Sequence, residues 1–175
     1  LPEGSGRDNQ VVITVDGKNS YELFNSPALD VHYHAPEVLR VSPSLLPSIG
    51  GDLVISGDNF GPASGIASVS FTWDGVPMPV VQVDHQSITV AAPDGVGPCS
   101  NSLLTVAGQS ITLTPPCDGG ASSSFGYLTP AIESTVPVAL ETVGGNMIIE
   151  GRNFGSSDAN VTAYLGNQRL EIRSR

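Results

Sequence analysis

PEVLRVSPSLLPSIGGDLVISGDNFG, from Pro36 to Gly61, decides how this chain is read, because nearly the same string returns as PAIESTVPVALETVGGNMIIEGRNFG, from Pro130 to Gly155. The two align without a gap at an offset of 94 residues. Pro36, Pro43, Leu46, Gly50, Gly51, Gly57, Asn59, Phe60 and Gly61 meet identical residues at Pro130, Pro137, Leu140, Gly144, Gly145, Gly151, Asn153, Phe154 and Gly155. Solenoid units repeat every 20–50 residues or so. An offset this large suits whole domains of about 100 residues.

The remainder of the unit repeats too. LPEGSG at Leu1–Gly6 matches APDGVG at Ala92–Gly97, and ITVDG at Ile13–Gly17 matches LTVAG at Leu104–Gly108, both at an offset of 91. Tyr33 and Pro36 then match Tyr127 and Pro130 at 94, so three residues are inserted between Gly108 and Tyr127. The expected organisation is the C-terminal part of a first domain over 1–35, a complete domain over 36–129, and the N-terminal part of a third over 130–175. Such a chain reads as a piece of a longer array. The rival arrangement, in which one copy's tail completes the next copy's head by strand donation, would leave about one strand missing from each composite domain.

Charge narrows the function classes. Lys and Arg total 7 against 17 Asp and Glu, and no Lys or Arg stands between Val41 and Gly151. A nucleic-acid surface needs clustered basic groups to displace phosphate counterions, so no nucleic-acid partner is expected. Direct contact with an anionic membrane is not expected either. The plain reading of the acidic balance is a solvated, soluble surface.

Short apolar runs point to strands. VVITV, DLVISG, ASVSFTW, SITVAA, SLLTVAG and NMIIEG are β-branched or alternate apolar with polar residues. Val69, Phe71 and Trp73 are apolar while Ser68, Ser70 and Thr72 are polar, the period of a strand with one face in a core. About seven such strands per unit, with Gly and Pro turns between them, predict an all-β fold of tandem immunoglobulin-like antiparallel β-sandwiches. Phe60, Phe71 and Tyr127 are expected in the core, and Trp73 shares the inward parity. The prolines of Val76-Pro77-Met78-Pro79-Val80 mark an edge strand, since Pro cannot donate to a ladder. That edge is a candidate contact surface.

Cys99 and Cys117 flank a hairpin whose turn is expected at Gly108–Gln109, which would bring the two cysteines near each other at its open end. In the first copy Cys99 aligns with Asp8, and no Cys occurs between Asp8 and Pro36. Two cysteines present together and absent together suit a disulfide. Two buried thiols are the alternative. No further Cys or neighbouring His completes a metal site. A disulfide implies an oxidising compartment, extracellular or on a cell surface.

The ordered motifs GGxLVISGxNFG, SITVxxP, xGxG, LxVxGQ and FxYxxP, recurring at fixed offset, resemble the IPT/TIG domain. The resemblance covers nearly the whole chain. It implies an immunoglobulin-like fold of the kind found in plexins, growth-factor receptors, many-copy surface proteins, some transcription factors and some glycosidases. The transcription factors contact DNA through basic loops, which this chain lacks. Tandem copies in surface proteins form rods that present loops to partners.

Each motif also has a physical reading. Gly50–Gly51 and Gly144–Gly145 precede strands, where positive φ is expected. Phe60 and Phe154 should pin the turn from inside the core, while Asn59 and Asn153 bond nearby backbone. A calcium reading of Asp52, Asp58 and Asn59 lacks the spacing of a calcium loop. His32 and His34 share a strand face and could share a metal, but no third ligand is visible, and two exposed histidines near a junction are the simpler reading. Asp84, His85 and Ser87 fall in a surface turn rather than a triad. No nucleophile elbow, P-loop or zinc-protease motif occurs. No catalytic, cofactor-binding or metal-binding residue is therefore assigned, and no cofactor is expected. Asn160-Val-Thr162 is a glycosylation sequon just after a turn, and Asn160 is the expected acceptor in a eukaryotic source.

The function these features imply is that of a non-catalytic segment of a large extracellular or cell-surface protein. It would act in adhesion, recognition or surface-filament spacing, with a protein partner or self-association along the array. The rival is an accessory module of a secreted carbohydrate-active enzyme. Ala35-Pro36 and Thr129-Pro130 leave almost no linker, so consecutive units should meet at restricted angles.

Overall fold

The computed structural model describes residues 2–20, 29–121 and 123–173. Leu1 of the LPEGSG motif lies outside them. The strands run in chain order as β1 (Asn9–Val11), β2 (Thr14–Val15), β3 (Lys18–Asn19), β4 (Leu29–Val31), β5 (Glu37–Ser42), β6 (Leu45–Leu46), β7 (Gly51–Asp58), β8 (Val69–Trp73) and β9 (Val76–Met78). They continue as β10 (Val80–Val83), β11 (Ser87–Ala92), β12 (Ser102–Val106), β13 (Gln109–Leu113), β14 (Gly126–Tyr127), β15 (Ala131–Val136), β16 (Ile148–Arg152), β17 (Ala163–Leu165) and β18 (Gln168–Leu170). A 3-10 turn at Ala63–Ser68 leads into β8.

Between residues 36 and 129 two four-stranded antiparallel sheets face each other, ordered β10-β11-β7-β5 and β13-β12-β8-β9. Alternation in sequence becomes alternation in space. Leu53 and Ile55 of β7, Ile88 and Val90 of β11, and Val38 and Val41 of β5 point inward from one sheet. Val69, Phe71, Leu104, Val106 and Leu113 meet them from the other. Phe60 and Phe125 join the same core. The fold is the immunoglobulin-like β-sandwich that the strand pattern predicts. Phe60, Phe71 and Tyr127 are each at most 4 % exposed. Val76-Pro77-Met78 forms β9 at the edge of one sheet, where the missing proline donor faces no neighbour.

Two local expectations need correction. The β12–β13 turn falls on Ala107–Gly108, not Gly108–Gln109: Val106 faces Gln109, which is itself a buried strand residue. A two-residue hairpin of this kind takes positive φ at both central positions, and Ala107 (φ 45°) and Gly108 (φ 79°) supply it. Asp16–Gly17 and Asp74–Gly75 make the same turn with a residue better suited to it. A left-handed conformation costs an ordinary L-residue about 1–2 kcal/mol, and Asn carries less of that strain. Ala107→Asn should therefore raise stability by about 1 kcal/mol. A urea titration followed through Trp73, the chain's single tryptophan, measures it. An unchanged or lowered midpoint would contradict the turn assignment.

The second correction concerns the glycines. Gly50, Gly51 and Gly144 have positive φ, but Gly145 does not. Gly57, for which no positive φ is expected, is required by close approach: a Cβ there would lie 1.9 Å from the Glu37 carbonyl oxygen and 2.6 Å from the Phe60 ring. Gly151 sits in the same vice, between Ala131 O at 2.0 Å and the Phe154 ring at 2.6 Å.

The flanking segments form small sheets of their own. β1 pairs with β4 and β2 with β3 at one end, so VVITV is broken into two short strands rather than one. β15 pairs with β16 and β17 with β18 at the other end. Ile132 and Leu140, the counterparts of buried Val38 and Leu46, are 66 % and 37 % exposed. Phe154 is half-buried, whereas Phe60 is fully enclosed. Among the described residues β15 pairs only with β16 in a two-stranded sheet, whereas β5 and β7 sit in a four-stranded one.

Candidate functional site at the junctions

The residues with the most specific geometry gather where the flanking segments meet the central sandwich. Asn59 lies in the left-handed region (φ 66°), which aims its side chain away from the core that Phe60 enters. Its Nδ2 donates to the carbonyl of Ala35, the residue before Pro36, at 3.1 Å. Asn153 (φ 61°) donates to the carbonyl of Thr129, the residue before Pro130, at 3.3 Å. Its Oδ1 also accepts the backbone N–H of Ser48, in the loop before β7, at 3.3 Å. Sequence reading anticipated a local turn bond for these two asparagines. Both instead reach back 24 residues to the joint.

Just before each joint a tyrosine is pinned within its own segment. Tyr127 donates its hydroxyl to Pro93 O at 2.9 Å, and its backbone N–H bonds Gly97 O at 3.0 Å. Tyr33 makes the same pair of bonds to Pro2 O, at 2.8 Å, and Gly6 O, at 3.0 Å. Gly95 and Gly4 lie so close under the two rings that a Cβ would fall within 2.9 Å of them. Burial, with a smaller push from the Asp94 charge, raises the Tyr127 hydroxyl above its ordinary pKa. The hydroxyl therefore stays a proton donor to Pro93.

Tyr127 belongs to an aromatic cluster. The Phe125 ring lies 5.4 Å from Trp73, 6.1 Å from Tyr127 and 6.3 Å from Phe71. Trp73 is only half-buried, with its Nε1–H donated to Phe125 O at 3.1 Å. Its parity did point it inward, but it lies at the rim of the core. Beside the cluster Cys99 and Cys117 form a disulfide, with Cα atoms 5.8 Å apart. The backbone of Cys99 presses on Gly126, where a Cβ would come within 2.6 Å. The segment after Cys117 is held by the Asp118 carboxylate, which accepts from the Ser123 hydroxyl and the Gly120 N–H. Those two bonds, the hydroxyl's first, lower the Asp118 pKa.

The other candidates are placed as follows. His32 Nδ1 accepts the Asp8 N–H at 3.0 Å, so that nitrogen is occupied by backbone. His32 and His34 line an open groove of about 540 Å³ with Arg7, Asp8, Tyr33 and Gln109. No three His, Cys, Asp or Glu side chains are grouped for a metal among the described residues. Arg7 donates to Gln109 Oε1 at 3.2 Å across the first joint. His85 Nε2 lies 3.6 Å from Glu3, while the Asp84 carboxylate accepts from Gln86 N, Ser87 N and the Ser87 hydroxyl. The Gln86 N–H first, then the Ser87 hydroxyl, lowers the Asp84 pKa. These three residues cap a turn and do not form a relay. Asp58 accepts from Gln86 Nε2 at 3.2 Å, and Asn59 is committed to Ala35, so both are engaged away from a shared cation. Asn160 is exposed and follows a turn closed by Ala159 N to Ser156 O.

No described helix is long and apolar enough to cross a membrane. A search of curated proteins finds no match. The family model for the IPT/TIG domain matches residues 36–124, just over half of the chain. The match runs from the proline that opens the sandwich to the residue before Phe125, and so takes in both sheets. With two facing antiparallel sheets and the motif glycines and phenylalanine at its corners, this chain belongs to the IPT/TIG domain family.

Proposed function

We propose that the chain is a run of tandem IPT/TIG units from a large extracellular or cell-surface protein: the end of one unit over 1–35, a complete unit over 36–129 and the start of a third over 130–175. It acts without catalysis, in adhesion, in recognition or as a spacer in a surface filament. Its partner is another protein or a further copy along the array, not nucleic acid or lipid. The observation that carries this reading is the recurrence of the joint. Tyr33 and Tyr127 make equivalent pairs of bonds, and Asn59 and Asn153 reach equivalent carbonyls, of Ala35 and Thr129, at the spacing of the sequence repeat. The disulfide supports an oxidising compartment, and the exposed Asn160 is the proposed glycan acceptor.

Antibodies against the central unit should label intact cells of the source organism without permeabilisation. Labelling that appears only after permeabilisation would contradict a surface role. From the same surface fraction, the peptide carrying Asn160 should lose hexosamine mass on enzymatic deglycosylation. A peptide of unmodified mass would remove Asn160 as an acceptor.

A further inference from the structure

Asn153 does more than finish a turn, and we infer that its side-chain amide sets the angle between consecutive units. The amide has two ends and both are used across the joint. Nδ2 donates to Thr129 O, in the strip that leaves the central unit. Oδ1 accepts Ser48 N–H, in a loop on the body of that unit. Ser48 is itself firmly placed. It is buried, its carbonyl accepts Gly95 N–H at 2.9 Å, and the Pro47–Gly50 turn closes around it. One planar group thus ties the third segment to two points of its predecessor, and two points on one body suppress rotation that a single bond would permit.

The donor and acceptor ends are fixed by chemistry. The groups that meet the amide are the Ser48 backbone N–H, a donor, and the Thr129 carbonyl, an acceptor, so the amide has one satisfactory orientation. The left-handed backbone at Asn153 is what turns the amide toward the joint, and Asn accepts that conformation at lower cost than most residues. Phe154 on one side and Gly151 on the other fix the turn to its own β-sheet.

At the first joint Asn59 repeats the bond to Ala35 O. Arg7, which also bonds Gln109 at the first joint, is replaced by Pro98 at the second, so that contact is not repeated in the same form. The asparagine bond is a cross-joint contact that both joints share. It needs no linker length to work, which fits units that abut at Ala35-Pro36 and Thr129-Pro130.

The inference rests on the tandem reading for its purpose but not for its test. Amide residual dipolar couplings of the full chain compare the orientation of residues 36–129 with that of 130–173. The parent should fit one alignment tensor. Asn153→Gly keeps the positive φ and deletes the amide, so the couplings of 130–173 should fall at least about twofold while β15 and β16 keep their dispersed shifts. Asn153→Asp keeps the acceptor for Ser48 but sets an oxygen against Thr129 O, and should also lose the common tensor. If Asn153→Gly unfolds the segment, Asn153→Asp alone decides. A parent that already needs two tensors, or a folded variant that keeps one, overturns the clasp. Neither outcome touches the array itself, which is decided by the spacing of units in the natural protein.

Discussion

Phe125→Ala should destabilise the central sandwich by about 3–5 kcal/mol, the usual cost of emptying a phenylalanine site in a closed core. Phe125 is 0 % exposed and its ring touches Phe71, Trp73 and Tyr127. One four-stranded sheet and the small β14–β6 sheet meet around it: Phe71 and Trp73 come from β8, and Tyr127 from β14, which pairs parallel with β6. Removing the ring leaves a void that these backbones cannot close without breaking the Trp73 indole bond to Phe125 O. Trp73 is the only tryptophan, so its emission follows this unit and no other. Urea titration of the variant should show the lowered midpoint, and Phe125→Leu should lose less, since it refills part of the volume. A loss under about 1 kcal/mol for the alanine variant would mean that the cluster is not part of the cooperative core.

Replacing both Cys99 and Cys117 with Ser should cost about 3 kcal/mol, the chain-entropy expectation for a loop of this length. The crosslink spans 18 residues and contains the whole β12–β13 hairpin. Its removal leaves residues 115–121 relying on the Asp118 bonds and on Ser124 N to Thr114 O at 3.1 Å. Reducing the parent under native conditions should reproduce the double variant's midpoint. A midpoint unmoved by either treatment would show that the hairpin holds itself without the bond.

These two effects fall on features that the sequence exposes to different degrees. The sandwich is legible because burial follows strand parity: Val69 and Phe71, then Leu104 and Val106, carry their inward face in their spacing. The disulfide is legible because both cysteines are absent from the first copy. The turn at Ala107–Gly108 is misread by one residue because alanine carries no signature for a left-handed conformation, and Gly108 alone fits either register. The reason for Gly57 is hidden for a different cause. Its constraint is a carbonyl 20 positions away, and nothing local distinguishes close approach from positive φ.

The joint was the least legible part. The string NFG shows an aromatic to bury and a turn to form, but the partners of Asn59 and Asn153 lie 24 residues upstream, and Ser48 lies 105 residues from Asn153. Only the folded position of Pro36 and Pro130 brings those carbonyls within reach. The tyrosine clasp has the same character, since Tyr127 meets Pro93 over 34 residues. Recurrence was the one signal available: Asn, Tyr and their glycines all return at the repeat offset, and that return marks them as a set before any contact is known.

Limited proteolysis of the natural protein, with the protected fragments identified by mass, tests the tandem unit most directly. The account predicts that cuts spare the interior of 36–129 and of its counterparts, and fall between units when they come. The resistant fragments should then be about 94 residues long or multiples of that length. Early cuts within 36–129, at rates matching those at the joints, or resistant fragments bearing no relation to that spacing, would contradict it.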